Sequence, residues 1–256
     1  MADPPDLHGR SLVAVFAHPD DESIACGGLL ARCADLGARV SLICATHGEN
    51  RSGNCDPDLY ATRPQELEAA ARILGIAEVI VYDYPDGFLP WIDADDFQRR
   101  LGADLCRLRP DVVITFGQDG LYWHPDHIAV YQMTTAVVSR FGVDAPALYY
   151  VTMPPGMMRS VVDAYLANGS GNGVTTPILG IANPDAFGVS AEPPTLVMDV
   201  STCAVRKLAA LRCHQTQVGG GALALMPEAD APRLFKLEHF HRARVGSTAP
   251  AFIEQI

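Results

Sequence analysis

The chain has 256 residues, room for one large α/β domain or at most two small ones. Hydrophobic residues make up 48% and charged residues 19%, so the chain can bury a packed core and is not a disordered polymer. Asp and Glu outnumber Lys and Arg by 30 to 19, a net charge of −11 with no basic stripe, which argues against nucleic acid or an anionic membrane as a main partner.

No apolar run reaches the roughly 18 residues of a transmembrane helix. Residues 1–10 are polar and contain no hydrophobic signal core, so a cytoplasmic location is expected. Seven cysteines, none in a CxxC pair, read as reduced and mostly buried thiols.

Residues 11–17 (SLVAVFA) form the first predicted strand, which ends at His18. Helical spacing follows over about 22–36, with Gly37 placed to stop it. The second strand spans 39–45 (RVSLICA), and a helix over 63–74 stops at Gly75. A third strand (78–82, EVIVY) precedes a helix over 95–108, and a fourth (111–116, DVVITF) precedes one over 126–140. Residues 147–152 form a further strand. Residues 167–184 are rich in Gly, Asn and Pro and read as a long loop, a candidate lid. Its Asn168-Gly169-Ser170 matches a glycosylation acceptor, which carries little meaning in a cytoplasmic protein. A strand over 196–200 (LVMDV) and a helix over 201–216 follow. Gly219-Gly220-Gly221 reads as a flexible turn, since no GKS or GxGxxG pattern accompanies it. Without repeats or a linker, one domain over 1–256 is expected.

Strands alternating with helices predict a Rossmann-like, three-layer α/β/α fold around a mostly parallel sheet. With right-handed crossovers and the fourth strand beside the first, the order is 3-2-1-4. A crevice then opens between the carboxyl ends of strands one and four, the usual ligand position.

Two motifs fall at that crevice. His18-Pro19-Asp20-Asp21-Glu22 leaves strand one, and His124-Pro125-Asp126-His127 opens the helix after strand four. Taken singly, each has a plain reading. An HxxH pattern often caps a helix or bonds to backbone, and acidic residues at a helix start complement its dipole, as Glu22 is read to do. Facing each other, they offer two histidines and one carboxylate, a common catalytic zinc set that leaves a position open. The same set also describes non-haem iron(II) sites, so iron stays open as the alternative metal.

At these residues the sequence resembles the PIG-L/LmbE-like N-acetylglucosaminyl deacetylase family. The matching features are AHPDDE (17–22), HPDH (124–127), Arg63 with Glu66, Leu67, Leu74 and Gly75, Pro85-Asp86-Gly87, and KLAALRCHQTQ (207–217). The likeness runs from Leu12 to about Phe240 and omits the 167–184 loop. It implies an LmbE-like fold with zinc on His18, Asp21 and His127, and Asp20 as general base. It further implies a protonated His124 at the oxyanion, assisted by Tyr122, and Arg63 and Asp86 gripping the sugar. His214 matches the family's C-terminal histidine, as a substrate contact or a structural residue.

The implied activity is removal of acetyl from a small-molecule N-acetylglucosamine conjugate. An amidase acting on a larger thiol conjugate is the alternative, and the intact Asp20 and His124 speak against a non-catalytic sugar-binding protein. A nucleotide-binding dehydrogenase fails on electrostatics, because the strand-one turn is acidic and lacks glycines. His47, ahead of Gly48-Glu49, departs from the family pattern, and the longer insertions of relatives acting on mycothiol precursors are missing. Both leave the substrate's second half open; a homo-oligomeric state is equally open, since no surface stripe decides between assemblies.

Overall fold

A computed structural model describes residues 5–51, 54–167, 178, 181–219 and 221–256. The expected alternation holds. Strands β1 (Ser11–Phe16), β2 (Arg39–Cys44), β5 (Glu78–Val81), β6 (Val112–Phe116) and β7 (Ala147–Thr152) pair in parallel, in the order β5-β2-β1-β6-β7. This is the 3-2-1-4 arrangement, and the crevice lies where it was expected. Leu12 to Phe16 and Val112 to Phe116 are buried without interruption, as central parallel strands covered on both faces must be. Helices α1 (Asp21–Asp35), α2 (Pro57–Leu74) and α7 (Ala204–Cys213) pack together, and α3 (Ala94–Leu108) packs on α5 (Pro125–Ser139).

Beyond β7 the sheet turns antiparallel. β9 (Leu237–Gly246) pairs with β7, and β8 (Leu196–Asp199) closes the edge. β9 escapes a reading by hydrophobic period because its third-layer residues include His239, His241, Arg242 and a buried Glu238. A two-residue hairpin, β3 (Asn50–Arg51) with β4 (Asn54–Cys55), and helix α6 (Met157–Ala167) also go unforeseen. The candidate lid falls mostly outside the described residues, as does its Asn168-Gly169-Ser170. Among the described residues, no helix is long and apolar enough to cross a membrane.

Two expected helices are corrected. α2 begins at Pro57, capped by the Asp56 side chain, rather than at Arg63. Pro64, inside the helix, cannot donate to the carbonyl four residues earlier. That carbonyl, on Tyr60, instead meets His47 Nδ1 at 3.3 Å, and the His47 ring stacks on Tyr60 at 4.0 Å. The helix expected over 201–216 breaks at His214 (φ −81°, ψ 56°) into α7 and a short α8 (Gln215–Val218).

Helix α1 is kinked at Cys26, and Glu238 of β9 fills the break. Its two oxygens accept from the Gly28 and Leu29 amides at 2.8 Å each, and Lys207 Nζ lies 2.6 Å away, all of it buried. The approach is close enough that a Cβ on Gly28 would stand 2.6 Å from Val200. Removing Glu238 leaves a buried ammonium and two amides without their acceptor. We expect Glu238→Ala to lose about 3–5 kcal/mol of stability, read as a lower urea midpoint; a loss under about 1 kcal/mol would contradict this account.

Candidate active site

The carboxyl ends of β1 and β6 deliver the two motifs to one crevice. His18 and Asp21 leave β1 into α1, while His127 sits in the first turn of α5. His18 Nδ1 and His127 Nε2 lie 3.1 Å apart, His127 Nε2 and Asp21 Oδ1 3.2 Å, and His18 Nδ1 and Asp21 Oδ2 3.5 Å. Tetrahedral coordination at bond lengths of about 2.0–2.2 Å sets ligand atoms about 3.3–3.5 Å apart.

Proton placement agrees with that spacing. Burial pushes His127 down to about 3, so the ring is neutral. Its Nδ1 faces the Gly120 carbonyl at 3.1 Å and must donate there, leaving a lone pair on Nε2. The ring also stacks on Phe116, centroids 3.9 Å apart, which fixes its plane. His18 Nε2 faces Asp86 Oδ1 at 3.0 Å and Asp126 Oδ2 at 3.1 Å, so its proton belongs on that side and Nδ1 aims at the other two ligands. Burial works against charging His18, but Asp126, Asp21 and Asp86 together raise its pKa well above the ordinary value. The cluster thus holds a positive charge at His18, which a divalent cation can supply in place of a second proton.

Asp20 stands beside this cluster with a backbone φ of 128°, a conformation that costs an L residue about 1–3 kcal/mol. Burial raises its pKa to about 6, against the opposing charge of Arg63, whose Nη2 lies 3.3 Å from Asp20 Oδ2. Arg63 is itself fixed, donating to the Gly48 carbonyl at 2.8 Å and the Pro19 carbonyl at 2.6 Å. Gly48 (φ 72°) has to be glycine there, since a Cβ would stand 2.5 Å from Arg63 Cζ.

Across the crevice, His124 caps α5. Its Nδ1 accepts from the Asp126 amide at 3.2 Å, so a neutral ring carries its proton on Nε2. Burial, and then the charge of His18, lower its pKa. A neutral Nε2–H donor therefore replaces the protonated histidine expected. Tyr122 lies edge-on to both His124 and His127, between Leu121 (φ 67°) and Trp123 (φ 65°), and burial keeps its phenol protonated.

Three comparisons bear on this arrangement. Residues 13–138 match the PIG-L family, described as GlcNAc-PI de-N-acetylase. A 1D-myo-inositol 2-acetamido-2-deoxy-alpha-D-glucopyranoside deacetylase of Nakamurella multipartita is 32% identical over 93% of this chain and 90% of its own. The chain belongs to the PIG-L family. Among solved structures, the N,N'-diacetylchitobiose deacetylase of Pyrococcus horikoshii shares the fold at TM-score 0.57 and 23% identity, covering 91% of this chain and 84% of that one. So does the 4-carboxy-2-hydroxymuconate hydratase of Pseudomonas putida KT2440, at TM-score 0.59 and 19% identity over 94% of this chain and 100% of that one. The PIG-L fold by itself therefore does not name a reaction.

The cavity at this PIG-L crevice has a volume of about 300 Å³. His18, Asp20, Asp21, Arg63, Asp86, Tyr122 and His124 all reach its wall, joined by Asn50 and Gln217. His214 does not. It is fully buried, and its Nε2 pairs with Glu22 Oε1 at 2.9 Å, so a direct grip on substrate is corrected to a contact behind the wall. Glu22 is likewise more than a dipole partner, since its other oxygen accepts from the Asp20 amide at 3.1 Å.

Asp126 was overlooked. It is fully buried and accepts from the Gly87 amide at 2.7 Å and the Leu89 amide at 3.1 Å while orienting His18. The only sequence signal was its place inside the second motif. Ligand-type atoms of His18, Asp86 and Asp126 cluster, as do those of His18, His124 and His127. Both carboxylates in the first group, however, are tied by amides to the Nε2 side of His18. We read them as orienting groups. Losing such a partner costs about 10- to 100-fold in metal affinity. We expect Asp126→Ala to weaken divalent-cation binding by that much in a chelator competition, with unchanged affinity counting against the assignment.

Proposed function

We propose that the protein is a metal-dependent N-deacetylase, in one domain spanning the chain, that removes acetyl from an N-acetylglucosamine-type sugar conjugate. The observation that carries this reading is the convergence of His18 Nδ1, His127 Nε2 and the Asp21 carboxylate, 3.1–3.5 Å apart, beside the Asp20 carboxylate. Family membership and relatives named as deacetylases support the same reading. His18, Asp21 and His127 would hold the cation, with zinc preferred for two nitrogens and one carboxylate, and iron(II) as the alternative. Such a cation supplies Lewis acidity and brings the pKa of a bound water towards neutrality.

The chain's own residues do the rest. Asp20 takes a proton from the attacking water and passes it to the departing sugar amine, so that the C–N bond breaks to acetate and free amine. His124 donates through Nε2 to the developing oxyanion, and the Tyr122 hydroxyl faces the same space. Arg63 steadies the Asp20 carboxylate in its ionised form. Asp86 lies at the wall, where its bond to His18 leaves it beside the sugar ring. A volume of about 300 Å³ is at the small end of ligand sites, enough for the ring and its acetamide, with the aglycone at the mouth. The chain's seven free thiols fit a reducing, cytoplasmic setting.

Acetate release from a panel of N-acetylglucosamine conjugates, including the inositol conjugate, tests the reading. We expect release that chelation abolishes and zinc restores; bound metal with release only from larger thiol-conjugate amides would overturn it in favour of the amidase.

Ionisation of Asp20 sets the acid limb of kcat/KM, at or below about pH 6. Activity rises with pH through that limb because only the carboxylate can accept the proton. Arg63→Met removes the neighbouring cation and so should move the limb to higher pH. A limb that stays put in the variant's pH profile would place the base elsewhere.

A further inference from the structure

An ordinary helix N-cap uses its side chain to accept the amides of the first turn. Asp20 occupies that position on α1 and makes no such bond. Its carboxylate faces Arg63 and the cavity instead. The backbone amide of Asp20 donates instead to Glu22, whose Oε2 reaches back to it at 3.1 Å. The bond resembles the reach-back half of a capping box, made here from the second helical residue rather than the third, while the side-chain cap is released. Without the reach-back, the Arg63 bonds to Pro19 and Asp20 are left to oppose relaxation of Asp20 to the extended conformation usual for a cap. Its carboxylate would then turn onto the helix amides and leave the cavity.

Glu22 is almost fully buried, so the direction of its carboxylate depends on what bonds it. Its Oε1 receives Ser23 Oγ at 2.5 Å and His214 Nε2 at 2.9 Å. Ser23 is the next residue on the same helix, so His214 is the anchor from outside. Its Nδ1 has no hydrogen-bond partner among the described residues, so Glu22 is its polar contact. His214 is held in turn by the break between α7 and α8, where its carbonyl accepts from the Gln217 and Val218 amides. Thr216, two residues on, bonds through its amide and hydroxyl to Glu66 of α2 at 2.9 and 2.6 Å.

We propose that His214 is a positioning residue, which through Glu22 locks the Asp20 backbone in the left-handed conformation and so keeps its carboxylate in the cavity. This rests on Asp20 being the base. Breaking the reach-back returns Asp20 to capping, which empties the base position without touching substrate or metal.

The test compares His214→Gln, whose amide nitrogen stands where Nε2 stood, with His214→Leu, which has no donor. Loss of an outer orienting group costs about 10- to 100-fold in activity, so we expect kcat of His214→Leu to fall by that much. KM and metal content should match the wild type, and His214→Gln should recover most of kcat. Hydrogen exchange of the Asp20 amide, followed by NMR, should quicken in His214→Leu and stay slow in His214→Gln. Glu22→Ala removes the acceptor itself and should show both changes; it carries the test if leucine at 214 prevents folding.

Unchanged kcat and unchanged Asp20 exchange in the leucine variant would overturn the proposal. So would a loss confined to KM, which marks a substrate contact, or a loss of metal. If the wild type releases no acetate from any conjugate, the reading of the reaction fails, while the exchange measurement still decides whether His214 and Glu22 hold Asp20.

Discussion

Four carboxylates, those of Asp20, Asp21, Asp86 and Asp126, crowd one crevice whose lasting positive charge is Arg63. Such a concentration of charge away from water is unfavourable unless each oxygen is bonded and the net charge is met. Much of the surrounding structure answers that demand. Backbone amides of Asn50, Gly87 and Leu89 take the oxygens of Asp86 and Asp126. His18 is driven towards its charged form, Asp21 stays ionised despite its burial, its Oδ2 accepting from the His18 amide at 2.7 Å, and Asp20 is pushed the other way, towards protonation. A divalent cation relieves the remaining imbalance at the point where the ligand atoms already converge. On the proposed reading, the two aspartates divide the labour, Asp21 binding the cation and Asp20 moving the proton.

Both motifs open a helix at the end of a parallel strand, and they solve the capping problem in opposite ways. At α5 the cap is made, His124 Nδ1 receiving the Asp126 amide, and making it leaves the proton on Nε2 facing the cavity. At α1 the cap is forgone, and a carboxylate that would ordinarily stabilise the helix is turned out towards the chemistry. The strained backbones at Asp20, Leu121 and Trp123 lie at these same two places. Strain of this kind persists only where neighbours over-determine it. Arg63 on Pro19 and the Glu22 carboxylate do so on one side, and the tilted packing of Tyr122 against Phe187, centroids 4.8 Å apart, on the other.

The central sheet was legible because its strands are continuous apolar runs separated by helical spacing, and right-handed crossovers with the fourth strand set beside the first give the observed order. The meeting of the two motifs followed, since that strand order brings the carboxyl ends of β1 and β6 together. What escaped was set by distant partners. β9 hides because Glu238 is polar for the sake of a kink in α1, some 210 residues earlier. The early start of α2 hides behind Pro64, whose lost hydrogen bond is made good by His47 from another loop. Asp126 looked like a helix-start acid, and its bond to His18 exists only once 108 residues have been folded back. His214 could not be told from a substrate contact without knowing that Glu22 stands between it and the cavity.

A deacetylase and a hydratase share this fold, so the reaction cannot reside in the sheet. It resides in the strand-end motifs, whose geometry is rigid because two layers of buried groups hold it. The remaining walls have a different origin. Asn50 comes from the β3–β4 hairpin, Gln217 from the four-residue α8, and Ile181 from the far end of the loop that has no counterpart in the family motifs. Short, locally supported segments of this kind can change without disturbing the ligand cluster. On the proposed reading, the acetamide end of the substrate is governed by residues that the core must keep, and the conjugate's second half by residues that it need not. His47 belongs to the second group in its effect, because it ties the loop leading to Asn50 onto Tyr60 and Asp83. A chain that keeps the ligands and alters that tie would be expected to retain the reaction while changing what the sugar carries.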